Sequence, residues 1–205
     1  MSQTRTMFIV LFLGVFLSIV LMSCSEDTPY DQRTVIIVSS INDNTPFFSD
    51  VLNQGDSLYE KDGVTYKTND DYVVEDYLPV TFYNKPYSSI FETENSSLGD
   101  FLVTNYDVEF VRLDGGTSPV PSFSGETSVL VPANSTVEAN ILLVPFSVKN
   151  QSPLFDLRYS PDEIITYAHI TFHGHEVQTN RNISFETGVT VTFGDKLQVK
   201  GNEEY

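Results

Sequence analysis

From Thr34 onward, apolar and polar residues alternate in short runs separated by Gly, Pro and Asn/Asp clusters. In Tyr106–Leu113 an extended chain puts Tyr106, Val108, Phe110 and Arg112 on one face and Asp107, Glu109, Val111 and Leu113 on the other. In Ile183–Phe193 the odd positions Ile183, Phe185, Thr187, Val189, Val191 and Phe193 are mostly apolar, and the even ones polar or small. A period of two marks an antiparallel sheet with one face on a core and the other in water. The pattern predicts strands over Thr34–Ser40, Leu78–Tyr83, Phe101–Leu113, Ser128–Val131, Thr136–Val148, Ile164–His173 and Ile183–Phe193. Shorter pieces are expected at Val51–Leu52, Thr65–Lys67 and Tyr72–Val74, and no stretch holds a helical period beyond one turn at Asn95–Asp100.

Seven or more short strands with turns between them predict an all-β fold, a single antiparallel β-sandwich. An immunoglobulin-like topology is favoured, with a jelly roll second, although the Cys–Trp–Cys signature is missing: the chain has one Cys and no Trp. Asp62-Gly63 and Asp114-Gly115-Gly116 supply turn residues that accept positive φ. The stretch Asp114–Gly125, with Pro119 and Pro121, is the longest loop expected in the second half. It reads as a plain connection or as a binding element on a rigid scaffold.

The pattern upstream is different. A largely apolar run of 16 residues, Met7–Met22, interrupted by Ser18, follows Arg5 and ends at Ser23-Cys24. A spanning helix needs about 20 residues, so the run fits a secretory leader better. The stretch Leu21-Met22-Ser23-Cys24 resembles the lipobox of bacterial lipoprotein precursors, with Met22 bulkier than usual at its position. The resemblance implies cleavage before Cys24 and lipidation of its thiol by a diacylglyceryl group, often with an added N-acyl chain such as palmitate. Each buried methylene adds ~0.8 kcal/mol of membrane affinity, and two or more chains anchor stably. Ser25 after the cysteine resembles an outer-membrane sorting signal. The expected organisation is a signal peptide at 1–23, a polar tether at 24–33, a β domain at 34–197 and a polar tail at 198–205.

Charge and cysteine content narrow the functions. The whole chain carries a formal charge of −17, with 28 acidic against 11 basic residues. Such a field repels phosphate backbones and excludes nucleic acid as a partner, while attracting cations and cationic partners. With its single cysteine lipidated, the domain has no disulfide, so its Phe and Tyr must build a core large enough to stand alone.

Three groups of residues invite chemical readings. His169, His173 and His175 share parity in one expected strand, with Glu176 nearby, and could bind a divalent metal if a neighbouring strand supplied a carboxylate. Gly174 between two of them invites a bulge that would divide that face. The run Ile41–Phe48 is similar to the calcium-binding linker of cadherins: Asn42, Asp43, Asn44, Pro46 and Phe48 match, and Ser40 stands where that family has its first Asp. The resemblance implies calcium ligation by Asn42, Asp43 and Asn44, and the acidic stretch with Asp70 and Asp71 is a second place for it. The same residues also read as ordinary turns. No Gly-x-Ser-x-Gly, His-Glu-x-x-His or phosphate-cradling loop is present, so no catalytic residue is assigned. A paired-carboxylate hydrolase stays open only because carboxylates are abundant. The sequence points to a lipid-anchored envelope protein of the outer membrane, not an enzyme, with a binding, adhesion or structural role. An envelope protein or a glycan is the expected partner. The alternatives are a metal- or calcium-binding protein and a carboxylate-dependent hydrolase.

Overall fold

The described residues form ten strands between Thr34 and Gly194, and ladder registers place them in two main sheets and a hairpin. The computed structural model describes residues 34–53, 56–61, 64–69, 71–86 and 99–196. Cys24, the leader, the tether, Asp70 and the tail 198–205 lie outside the described residues, as do residues 95–98 of the expected helical turn. The strands are β1 (Thr34–Ile41), β2 (Phe47–Asp50), β3 (Asp56–Lys61), β4 (Val64–Asn69), β5 (Asp76–Pro86), β6 (Phe101–Arg112), β7 (Phe123–Val131), β8 (Ser135–Val144), β9 (Glu163–Glu176) and β10 (Asn182–Gly194). One sheet runs β1-β5-β8, the other β2-β10-β9-β6-β7, and β3 pairs with β4 alone. All pairings are antiparallel except β2 on β10. The class is all-β with two packed sheets, one of them curled into a half-barrel.

The core lies between the two sheets, where the period-two faces meet. Phe82 from β5 meets Phe172 from β9 edge-on, with ring centroids 5.0 Å apart. Phe172 in turn stacks on Phe185 of β10 at 5.4 Å. Both geometries are favoured by the ring quadrupoles and add to the burial of the rings. Tyr106, Val108 and Phe110 are buried, whereas Asp107, Glu109 and Val111 face out, as the alternation requires.

A register shift between Val103 and Asn105 lets Phe101 and Val103, of odd parity, share the core with Tyr106, of even parity. One extra residue in a bulge reverses which parity points inward. The expected break at Gly174 does not occur in β9, whose ladder to β10 is regular from Asn182↔His175 to Gly194↔Glu163. Gly174 instead lets the neighbouring strand come close: a Cβ there would lie 2.2 Å from the Leu102 carbonyl oxygen.

Three expectations for elements need correction. The strand expected over Thr136–Val148 stops at Val144, because Pro145 opens a short helix α1 (Phe146–Lys149) that buries Val148 and Lys149. The strand expected at Val51–Leu52 lies just before it, as β2, and those two residues are buried past its end. Tyr72–Val74 contributes a single bridge, Asn53↔Tyr72.

Candidate functional site

The outer face of the five-stranded sheet carries all three histidines. Alternation along β9 turns Ile164, Thr166, Ala168, Ile170 and Phe172 into the core and leaves His169, Thr171, His173 and His175 on the outer face. The expected shared face of the three histidines is therefore present. Glu176, expected beside them, is on the opposite face and fully buried. Its carboxylate accepts hydrogen bonds from Thr34 N at 3.0 Å, Thr34 Oγ1 at 3.1 Å and Thr179 Oγ1 at 2.6 Å.

The register sets neighbours for each histidine. Asp107 and Glu186 both lie across from Thr171, one on each side. His173 Nε2 is 2.9 Å from Asp107 Oδ2, and its Nδ1 is 2.8 Å from Ser184 Oγ. Ser124 Oγ donates to the other oxygen of Asp107. The result is one hydrogen-bonded line, Ser124–Asp107–His173–Ser184, crossing β7, β6, β9 and β10. Hydrogen bonds from Ser124 and then His173 hold the Asp107 carboxyl below the usual carboxylate range. His169 Nε2 forms a looser pair with Glu186 at 3.3 Å. A groove of about 460 Å³ runs beside this line, lined by Asp107, Glu109, Phe123, Ser124, His169 and Thr171 among others.

Serine, imidazole and carboxylate in one line have the composition of an acyl-transfer relay, but the surroundings differ from one. An oxyanion needs N–H donors aimed at it. At His173 itself β9 is laddered to β6 on one side and to β10 on the other, so its own backbone offers no such donor. The arrangement can orient polar groups toward a bound surface and can hold charge in fixed places.

Metal ligation finds less support in the geometry. His169 and His173 are four positions apart on a strand, about 13 Å at the strand rise. Each is directed to a different carboxylate. Among the described residues no group of three His, Cys, Asp or Glu side chains is placed to hold an ion.

The cadherin-like run forms a turn in which Asn42, Asp43 and Asn44 all have positive φ, at 46°, 51° and 59°. Asn and Asp accept this region better than other side-chain-bearing residues. Asn42 Nδ2 donates to the carbonyls of Thr45 and Pro46, so its side chain closes the turn. Asp71 accepts a hydrogen bond from Tyr159 Oη, and that contact raises the Tyr159 pKa. No hydrogen bond joins the two acidic segments among the described residues.

Sequence reasoning missed two sets of partners. Asp107, Ser124, Ser184 and Glu186 become neighbours of the histidines only through the strand order. Lys149 is the second case: its side chain is buried, with Nζ 2.9 Å from Asp76 Oδ2 and 2.7 Å from the Asp50 carbonyl. Ser49 Oγ also donates to Asp76. Burial is the largest influence on Asp76 and raises its pKa, against the lowering effect of Lys149. No signal in the sequence separates Lys149 from a surface lysine, except that it follows Val148 where a proline has broken the strand.

Comparison with protein families, characterised proteins and solved structures finds no match to this chain.

Proposed function

We propose that this chain is a lipid-anchored protein of the bacterial outer membrane with a non-enzymatic role in binding, adhesion or envelope structure. The observation that carries the reading is the lipobox-like Leu21-Met22-Ser23-Cys24 at the end of an apolar leader too short to span a bilayer comfortably. Among the described residues no helix is long and apolar enough to cross a membrane. An open sheet face with fixed polar groups suits contact with a partner more than turnover of a small substrate.

The sheet order supports an immunoglobulin-like sandwich. β1-β5-β8 runs like the A-B-E sheet of that fold, and β10-β9-β6 like its G-F-C sheet. The break after β1 sends the chain from one sheet to the edge of the other, where β2 pairs parallel to the last strand.

The test of the anchor is metabolic labelling with palmitate and mass measurement of the N-terminal peptide. Label on the wild-type chain, lost in Cys24→Ala together with release from the membrane fraction, supports the assignment. An unmodified Cys24 or a retained leader ends it.

A further inference from the structure

We infer that the outer face of the five-stranded sheet docks a cationic polypeptide segment that carries apolar side chains toward its ends. The inference rests on the binding role proposed above and names its surface and partner. Its starting point is apolar exposure on a sheet face. Val111, Leu113, Ile165 and Tyr167 are 48%, 58%, 38% and 39% exposed. They adjoin one another, since Val111 pairs with Tyr167 and Leu113 N donates to the Ile165 carbonyl. Water contact by so many neighbouring apolar groups is costly, and such patches mark interaction sites. Further along the same face Leu130, 50% exposed, lies across from Leu102. Leu102 and Val111 lie nine strand positions apart, a span of about 30 Å.

The polar middle selects the occupant. Outward positions of β6, β7, β9 and β10 carry the carboxylates of Asp107, Glu109, Glu126 and Glu186 in this middle, with Glu163 beyond Ile165; beside them stand His169, His173 and His175, and no Lys or Arg. A face with this charge repels a second copy of itself and attracts lysine or arginine side chains. The hydrogen-bonded line through His173 fixes Asp107 in place, so little ordering entropy is lost when a cation meets it. Carboxylates at two-residue spacing, Asp107 and Glu109, match alternate side chains of an extended partner.

The experiment uses the full-length chain in detergent micelles and a fluorescent lysine-centred peptide with leucines at both ends. Its glutamate-centred counterpart serves as control. The lysine peptide should bind, and raising salt to about 1 M, where screening acts within ~3 Å, should weaken it at least tenfold. Glu109→Lys and Glu186→Lys should each weaken binding about fivefold, and Val111→Ser about threefold. Glu138→Lys, on the outward side of β8 in the other sheet, should leave it unchanged. These positions are exposed, and an unchanged circular-dichroism melt shows that each variant folds. Equal binding of the glutamate peptide, an equal effect of Glu138→Lys, competition by a neutral oligosaccharide, or a dimer dissolved by Val111→Ser would each overturn the inference. Failure of the peptide to bind would also overturn it. Palmitate labelling reports on the anchor separately, so either proposal can fall alone.

Discussion

His173 bridges two strands through one imidazole: Nε2 reaches Asp107 on β6 at 2.9 Å, and Nδ1 reaches Ser184 on β10 at 2.8 Å. Both ring nitrogens are occupied, so the ring orientation is fixed by its neighbours rather than by burial. The side chains of His173 and Asp107 are 34% and 52% exposed, which screens the pair.

The lowered pKa of Asp107 fixes the sign of a pH effect. A carboxyl that ionises more readily when folded stabilises the fold above its unfolded pKa of about 3.9, and that contribution disappears as pH falls through the lower folded value. Asp107→Asn should therefore cost stability at pH 7 but little at the acid end of that window. For so exposed a pair the effect is at most about 0.5 kcal/mol. Urea unfolding of wild type and variant at both pH values checks it, and a larger loss in acid than at pH 7 would contradict the assignment.

Lys149 and Asp76 give a much larger expectation. Lys149→Met leaves the largely buried Asp76 carboxylate without its counter-charge, and removing one partner of such a pair costs about 3–5 kcal/mol. Burial already raises the Asp76 pKa, so protonation relieves the penalty. The loss should be greatest at pH 7 and shrink as pH falls through the raised value. Adding Asp76→Leu to Lys149→Met should recover much of the stability. Chemical denaturation of the three variants measures both effects, and a loss in Lys149→Met that is the same at every pH would show that the carboxylate is not the cause.

Much of the fold was legible because alternation reports on burial directly. Val108, Phe110, Val189, Val191 and Phe193 are where the period of two puts them. Bulges were not legible: nothing around Thr104 announces an extra residue, yet it decides that Phe101 and Tyr106 share a core. Strand order was not legible either, because pairing depends on which hydrophobic faces meet across the whole chain. The common face of His169, His173 and His175 followed from parity alone. Their carboxylate and serine neighbours did not, since those come from strands distant in sequence. Glu176 was misplaced by proximity, as its even parity puts it with Phe172 in the core.

The spacing of the histidines predicts the outcome of metal addition. Zinc needs ligands converging within about 2.0–2.3 Å of one point. The two nitrogens of His173 already face a serine and an aspartate, and His169 lies about 13 Å along the strand. Thermal melts with EDTA or with zinc at millimolar concentration should share one midpoint. Tight binding would instead stabilise by RT ln(1 + [L]/Kd), several degrees at saturation, and a shift of that size removed by His173→Ala would restore the metal reading.

Gly174 carries the sharpest structural prediction. A methyl group there would sit 2.2 Å from the Leu102 carbonyl oxygen and 2.6 Å from the Phe101 ring. The carbonyl belongs to the β6 backbone next to the Val103/Asn105 register shift, so it cannot retreat without disturbing the ladder between β6 and β9. Overpacking of this kind costs about 1–3 kcal/mol, and the upper end is expected where backbone must move. At Gly188 the nearest atoms to an added Cβ belong to the Tyr167 ring, at 2.4 Å, which is 39% exposed and can swing away, although the Ala168 carbonyl at 2.6 Å keeps some cost. Gly174→Ala should therefore destabilise more than Gly188→Ala in urea unfolding, and should also speed amide exchange in Leu102 and Val103. The reverse order would mean that the Tyr167 ring, not the strand spacing at Leu102, is the tighter constraint on the sheet.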